Sequence, residues 1–232
     1  MDSERAARRA VVAGLSLFLL LIPLSGAADE KYALWSDFIY TIRSGDRAIW
    51  VVAPSFRTDE QEINSSFATR ITTDLTYDLA RGWDLRGRFF LIGRETEVGD
   101  AAFDQRVQIL LRYTLFRFHD DEIRVRGGTF YERHFRGDEI DDFNVYRQRF
   151  EMQADTWRWA PGIQQDFFFD DGRGFFRSRT RIGLLWSFET KKQITLAYQF
   201  QYTQNRLGTW TSQHAIVFRY WFGQRLSARG GH

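Results

Sequence analysis

The feature that most restricts what this chain can become is an alternation of apolar and polar side chains, with period two, along almost its whole length. It is clearest at residues 103–117. Phe103, Val107, Ile109, Leu111, Tyr113 and Leu115 fall on one parity with Gln105, while Asp104, Arg106, Gln108, Arg112 and Thr114 fall on the other. Successive side chains of a strand point to opposite faces, so such a run is a sheet segment with one apolar and one polar wall. Residues 67–79 set Phe67, Ile71, Leu75, Tyr77 and Leu79 against Arg70, Asp74 and Asp78. Residues 83–95 set Trp83, Leu85, Phe89 and Leu91 against Asp84, Arg86, Arg88 and Arg94. Residues 176–188 set Phe176, Ile182, Leu184, Trp186 and Phe188 against Arg177, Arg179 and Arg181. Residues 194–204 set Ile194, Leu196, Tyr198, Phe200 and Tyr202 against Gln199 and Gln201. Weaker segments at 33–42, 48–57, 122–135, 145–157, 162–170 and 209–222 bring the readable strands to eleven.

Alternation does not say which wall faces inward. A soluble lipocalin-like barrel also alternates, with its apolar wall around a ligand. Three features favour a membrane barrel. The segments run roughly 10–15 residues, enough for the tilted 9–11 that cross a bilayer. The apolar parity is nearly free of charge and carries Trp83, Tyr113, Tyr202, Tyr220 and Phe222 near segment ends, as interfacial girdles do. So many apolar walls would also be hard to fill from inside a soluble barrel. The expected fold is therefore all-β, an antiparallel up-and-down transmembrane β-barrel. Single-chain bacterial barrels usually have even strand numbers, so eleven readable segments predict twelve strands, with ten the alternative.

The connections give a direction. Ser44-Gly45-Asp46, Ala80-Arg81-Gly82, His119-Asp120-Asp121, Ala160-Pro161-Gly162 and Thr190-Lys191-Lys192 read as tight turns. Longer polar links are expected at 59–64, 98–102, 136–144, 170–174 and 205–208. Short turns lie on the periplasmic side of outer-membrane barrels and longer loops outside. This sends the last strand down to Phe222 at the periplasmic rim.

Ahead of the first strand, Arg5, Arg8 and Arg9 precede an apolar stretch at 11–24 and the small residues Ser25-Gly26-Ala27-Ala28. That order is a secretory leader at 1–27, rather than a retained anchor helix: Gly14 and Pro23 interrupt the stretch, which falls short of the ~20 residues a spanning helix needs. The barrel then occupies 28–222, and 223–232 is a polar tail. The chain has no cysteine, which excludes disulfides, thiolate metal sites and a lipoprotein anchor. Without the leader its basic and acidic residues nearly balance, so no general attraction to nucleic acid is expected. Aromatics at 17% and only three prolines suit strands better than helices or disorder.

The order of elements resembles one known family. An opening strand with Trp35 is followed by a short turn and a strand with Trp50; then come Arg124-Val125-Arg126 and Arg147-Gln148-Arg149-Phe150-Glu151. Asp166-Phe167-Phe168, Arg179-Thr180-Arg181-Ile182-Gly183 and Leu196-Ala197-Tyr198 complete it. Over residues 33–222 this resembles the outer-membrane barrel family called domain of unknown function 2490, which more often has Glu where Asp166 stands. The resemblance implies an outer-membrane barrel and supplies no activity or functional residues.

Any chemistry must then sit on the polar wall. Arg86, Arg88, Arg106, Arg112, Arg124, Arg126, Arg147, Arg149, Arg177, Arg179 and Arg181, with Arg70 and Arg219, meet Asp74, Asp78, Asp84, Asp104, Glu132, Glu151, Asp155 and Asp166. Arginine rings can guide anionic solutes through a pore, giving a narrow channel for small anions. The opposing expectation is that these charges pair across strands and plug the lumen, since buried charges must be paired. A different class would be a lipid-modifying barrel enzyme. Ser212 and His214 share the apolar parity of the last strand, where an imidazole could activate a serine, although no orienting acid stands at a fixed spacing. His134 with Glu132, His119 with Asp120 and Asp121, and the acidic run 138–142 are weak metal signals better explained by solvated loops and lumen. The sequence thus predicts a non-enzymatic, cofactor-free, porin-like barrel in the outer membrane of a Gram-negative bacterium, structural or narrowly permeable. Its expected partners are outer-membrane lipid, lipopolysaccharide and the barrel-assembly machinery.

Overall fold

The computed structural model describes residues 30–60, 65–95, 101–118, 122–136, 142–154, 159–189, 192–205 and 207–223. The leader at 1–27, His119, Asp120, Asp121, Asp155, most of the acidic run at 138–142 and the tail after Gly223 lie outside them.

Eleven strands form a closed barrel in sequential order. They are β1 (Glu30–Ser44), β2 (Ala48–Glu60), β3 (Ser65–Ala80), β4 (Trp83–Glu95), β5 (Ala101–Phe118), β6 (Ile123–Arg136), β7 (Phe143–Ala154), β8 (Trp159–Asp170), β9 (Gly174–Glu189), β10 (Lys192–Gln204) and β11 (Trp210–Phe222). Neighbours in sequence pair antiparallel, and β1 closes on β11 in parallel from Glu30↔Ser212 to Tyr40↔Phe222. This departs from the expected even, wholly antiparallel barrel. In an odd up-and-down series the first and last strands run the same way, so closure must be parallel. The eleven segments read from the alternation are the eleven strands, with none merged among the described residues.

Two local expectations are corrected. Ala160-Pro161-Gly162 is no turn but the start of β8. Pro161 is tolerated there because pairing with β7 ends at Gln153↔Gly162, so its missing N–H faces no partner on that side. Phe176 does not join the outer wall. The register passes from Phe168↔Arg177 to Phe169↔Phe175, so Phe176 is an extra, bulged residue. Its ring packs with Val145 and Phe168 on the inner side.

Burial decides which wall is which. Asp74, Asp84, Asp104, Arg106 and Asp166 are buried inside, while Ile71, Leu75, Leu85, Ile109, Leu184 and Leu196 are exposed outside. Every strand presents at least one exposed large apolar side chain, so the outer surface is a continuous apolar belt. Ring pairs border it at both ends. Trp83–Tyr113, Trp159–Trp186 and Tyr40–Phe222 lie toward the short-turn end, and Tyr131–Tyr146 and Tyr202–Trp210 toward the other. From Phe103 to Tyr113 on β5 is roughly 34 Å along the strand, or about 26 Å of height at ~40° tilt.

Candidate functional site

The lumen has two halves of different character. Toward the long-loop end each strand sends in at least one side chain less than 9% exposed: Trp35, Arg57, Ala68, Ile92, Asp104, His134, Val145, Phe168, Arg177, Gln201 and Gln213, in strand order. Trp35 and Phe130 are 1% exposed and Gln201 is 0%. Nearly closed to solvent, these side chains form a packed inner layer toward that end of the barrel.

The layer is made of arginines stacked on rings. The Arg57 guanidinium lies 4.2 Å from the Trp35 ring centre and that of Arg147 3.6 Å from the Phe130 centre. Arg177 stacks over Phe168 and Phe176, and Arg179 over Phe168 and Trp35. An arginine face on a ring gains about 0.5–2 kcal/mol, more when desolvated. It also lets a cation be buried with its planar faces covered and only its N–H edges needing acceptors.

Carboxylates supply many of those acceptors. Arg149 donates to Asp166 through Nε at 2.7 Å and Nη2 at 3.1 Å, with Gln164 Nε2 donating to the same carboxylate at 2.8 Å. Arg88 and Arg86 lie 2.5 and 3.4 Å from Asp74, Arg112 2.7 Å from Asp84, and Arg126 3.0 Å from Glu151. Glu132 is shared by His134 at 2.5 Å, Arg106 at 3.8 Å and the Gln108 amide. The register explains the matching: Arg149↔Asp166, Arg126↔Glu151, Asp74↔Arg88 and Asp84↔Arg112 are directly opposed on neighbouring strands. The paired-charge reading of the polar wall is therefore realised at these positions.

Below the layer, toward the short-turn end, lies a vestibule of about 1160 Å³. It reaches from Asp46, Arg47, Arg81 and Trp221 at the mouth up to Arg57, Phe90, Arg147 and Phe168 at the underside of the layer. Ten of the eleven predicted lumen arginines line it: Arg86, Arg88, Arg106, Arg112, Arg124, Arg126, Arg147, Arg149, Arg179 and Arg181. Arg177 does not. It lies in the packed layer, its Nε donating to Thr203 Oγ1 at 3.2 Å.

Sequence reasoning missed Asp37, Arg57 and the rings of the layer. Asp37 joins Arg219 across the parallel seam at 2.9 Å and approaches Arg70 at 3.7 Å. The available signal was apolar residues on the polar parity: Phe90 and Ile92 after Arg86 and Arg88, Phe130 after Arg126, Trp35 before Asp37. Such inward rings pack against the arginines of the polar wall.

Among the described residues, the Ser212–His214 and His134–Glu132 candidates are not assembled into catalytic or metal sites. His214 Nδ1 is engaged by the Tyr198 hydroxyl at 2.5 Å and its ring stacks on Tyr32, while Ser212 is buried and makes no hydrogen bond to it. His134 and Glu132 do meet, but the imidazole stacks on Phe143, 4.3 Å between ring centres, within the layer. Among the described residues no group of three or more His, Asp or Glu side chains converges as a metal site would require. No family model matches the chain, and no curated protein matches it either.

Proposed function

We propose that this chain is an integral outer-membrane β-barrel with a closed lumen, a structural protein rather than an open channel. The packed arginine–aromatic layer carries the closed-lumen reading, since every strand contributes a buried inward side chain to it. The apolar belt supports the membrane: soluble proteins rarely expose a contiguous apolar patch beyond a few hundred Å². Its bordering rings and the ~26 Å span agree with an outer-membrane band of about 25 Å. Odd strand numbers are compatible with an outer membrane, as mitochondrial barrels of 19 strands show.

In this reading 1–27 is a cleaved secretory leader, the short turns are periplasmic, and the protein sits in the envelope of a Gram-negative bacterium. Lipopolysaccharide surrounds the belt and the barrel-assembly machinery inserts it. The order of elements keeps it beside the domain of unknown function 2490 family, and no reaction is assigned to it.

Planar-bilayer recording tests the closed lumen. Purified barrel inserted into the bilayer is expected to give flat traces in chloride, phosphate and citrate salts. Reproducible anion-selective steps would overturn the closed reading in favour of the narrow anion channel. Fractionation addresses the location: recovery in the inner-membrane or soluble fraction would sink the outer-membrane assignment.

A further inference from the structure

The vestibule holds far more positive than negative charge. Sixteen arginines line it against seven carboxylates, Asp37, Asp46, Asp74, Asp78, Asp84, Glu132 and Glu151. Confined like charges repel, and a cleft lined by one sign with low-dielectric walls concentrates the opposite charge.

Two of its arginines show where a ligand would bind. Arg147 stacks on Phe130; its charged neighbours are Arg149 and Arg179 on one hand and the carboxylates Asp166 and Glu132 on the other, which are engaged by Arg149 and by His134 and Arg106. Arg181 gives Nε and Nη2 to Gln199 Oε1, at 3.2 and 2.6 Å, so its acceptor is a neutral amide. Its electrostatic neighbours are the guanidiniums of Arg219, Arg179 and Arg149, with Asp37 as the carboxylate. A guanidinium fixed by a ring face or an amide still presents in-plane N–H edges. Those edges match the two oxygens of a carboxylate or phosphate, which makes arginine the usual partner of such groups.

The access is one-sided. Arg147 and Arg181 lie in the vestibule wall, with the layer closing the far side and the mouth at the short-turn end. About 1160 Å³ slightly exceeds the usual size of a small-molecule site. We infer that the vestibule binds a small solute carrying two or more oxyanion groups, which enters from the short-turn end and is held by Arg147 and Arg181. This rests on the closed lumen, because a through-pore would transmit such a solute instead of retaining it.

The test is calorimetric titration of the purified full chain in detergent at low ionic strength, with inorganic tripolyphosphate and citrate as separate probes. Saturable binding of at least one is expected, and the tighter probe tells phosphate from carboxylate chemistry. Arg147→Gln and Arg181→Gln should each weaken it about tenfold or more, the scale of a lost charge-assisted hydrogen bond. Arg133→Gln, on the outer wall facing Asp142, should leave it unchanged. The melting temperature of each ligand-free variant, compared with its loss of binding, separates lost binding from lost folding. Arg181→Lys keeps the charge without the planar fork and should also bind more weakly. Absence of saturable binding by wild type, or wild-type binding by both Arg181 variants, would overturn the site. Conductance is measured separately in a bilayer: current together with binding sinks only the closed lumen, whereas a silent barrel without binding sinks only the site.

Discussion

Asp37→Asn perturbs the place where the barrel closes. Asp37 on β1 stands opposite Arg219 on β11 in the parallel register, accepting from Nη2 at 2.9 Å and Nε at 3.2 Å. Arg70 approaches from β3 at 3.7 Å. The Asp37 side chain is 8% exposed and that of Arg219 28%. Asparagine keeps the shape and one acceptor, so the change removes charge without opening a cavity. Breaking a buried ion pair from one side typically costs about 3–5 kcal/mol, because the remaining charge is left uncompensated. Arg219 opens partly to the vestibule, and solvent screening brings the expectation down to about 2–3 kcal/mol.

Arg219→Gln relieves the same imbalance from the other side. In the double variant two amides face each other, and the loss should fall short of the sum of the single variants by about 1.5 kcal/mol. Reversible urea unfolding in micelles, followed by tryptophan fluorescence, measures all four corners of the cycle. A single-variant loss below about 0.5 kcal/mol, or an additive cycle, would refute the reasoning. The parallel seam would then rest on its backbone ladder and on ring pairs such as Tyr40–Phe222.

Two further outcomes follow from the wall and the lumen. A Cβ on Gly183 would lie 2.7 Å from the Leu196 carbonyl oxygen and 2.5 Å from the Ala197 Cβ, so the β9–β10 ladder itself must shift. Gly183→Val should destabilise the barrel by about 1–3 kcal/mol or prevent its assembly, read from the urea midpoint and the folded band on unheated gels; wild-type stability would contradict the register. Because the chain lacks cysteine, Thr195→Cys and Thr203→Cys report on the two sides of the packed layer. A membrane-impermeant thiol reagent should label position 203 in intact cells and position 195 only after the outer membrane is permeabilised; equal labelling in intact cells would mean an open lumen, and labelling of position 195 alone the opposite orientation.

The legible part of this protein is its wall. Period-two alternation needs only the pleat of a strand, so 67–79 and 103–117 announce β3 and β5 and name their two faces before any partner is known. Interruptions of that period were not legible. The bulge that turns Phe176 inward and the start of β8 at Trp159, which leaves Pro161 inside the strand, depend on the neighbouring strand's register. Ten of the eleven arginines read from the polar wall line one cavity. Their division into carboxylate-paired and ring-stacked members was not visible, because Arg149 and Arg147 are two residues apart on one face and differ in what the neighbouring strand sets opposite them, Asp166 on β8 for one and Phe130 on β6 for the other.

The sequence by itself determined a barrel of long amphipathic strands with arginine on its polar wall, because side-chain parity is a local property of extended backbone. Tertiary structure alone decided that the polar wall is luminal, that eleven strands close through a parallel seam, and that arginines and rings of neighbouring strands stack above a vestibule. Those outcomes depend on closure, which brings residues such as Asp37 and Arg219, 182 positions apart, into one hydrogen bond. No local pattern encodes a distance of that kind.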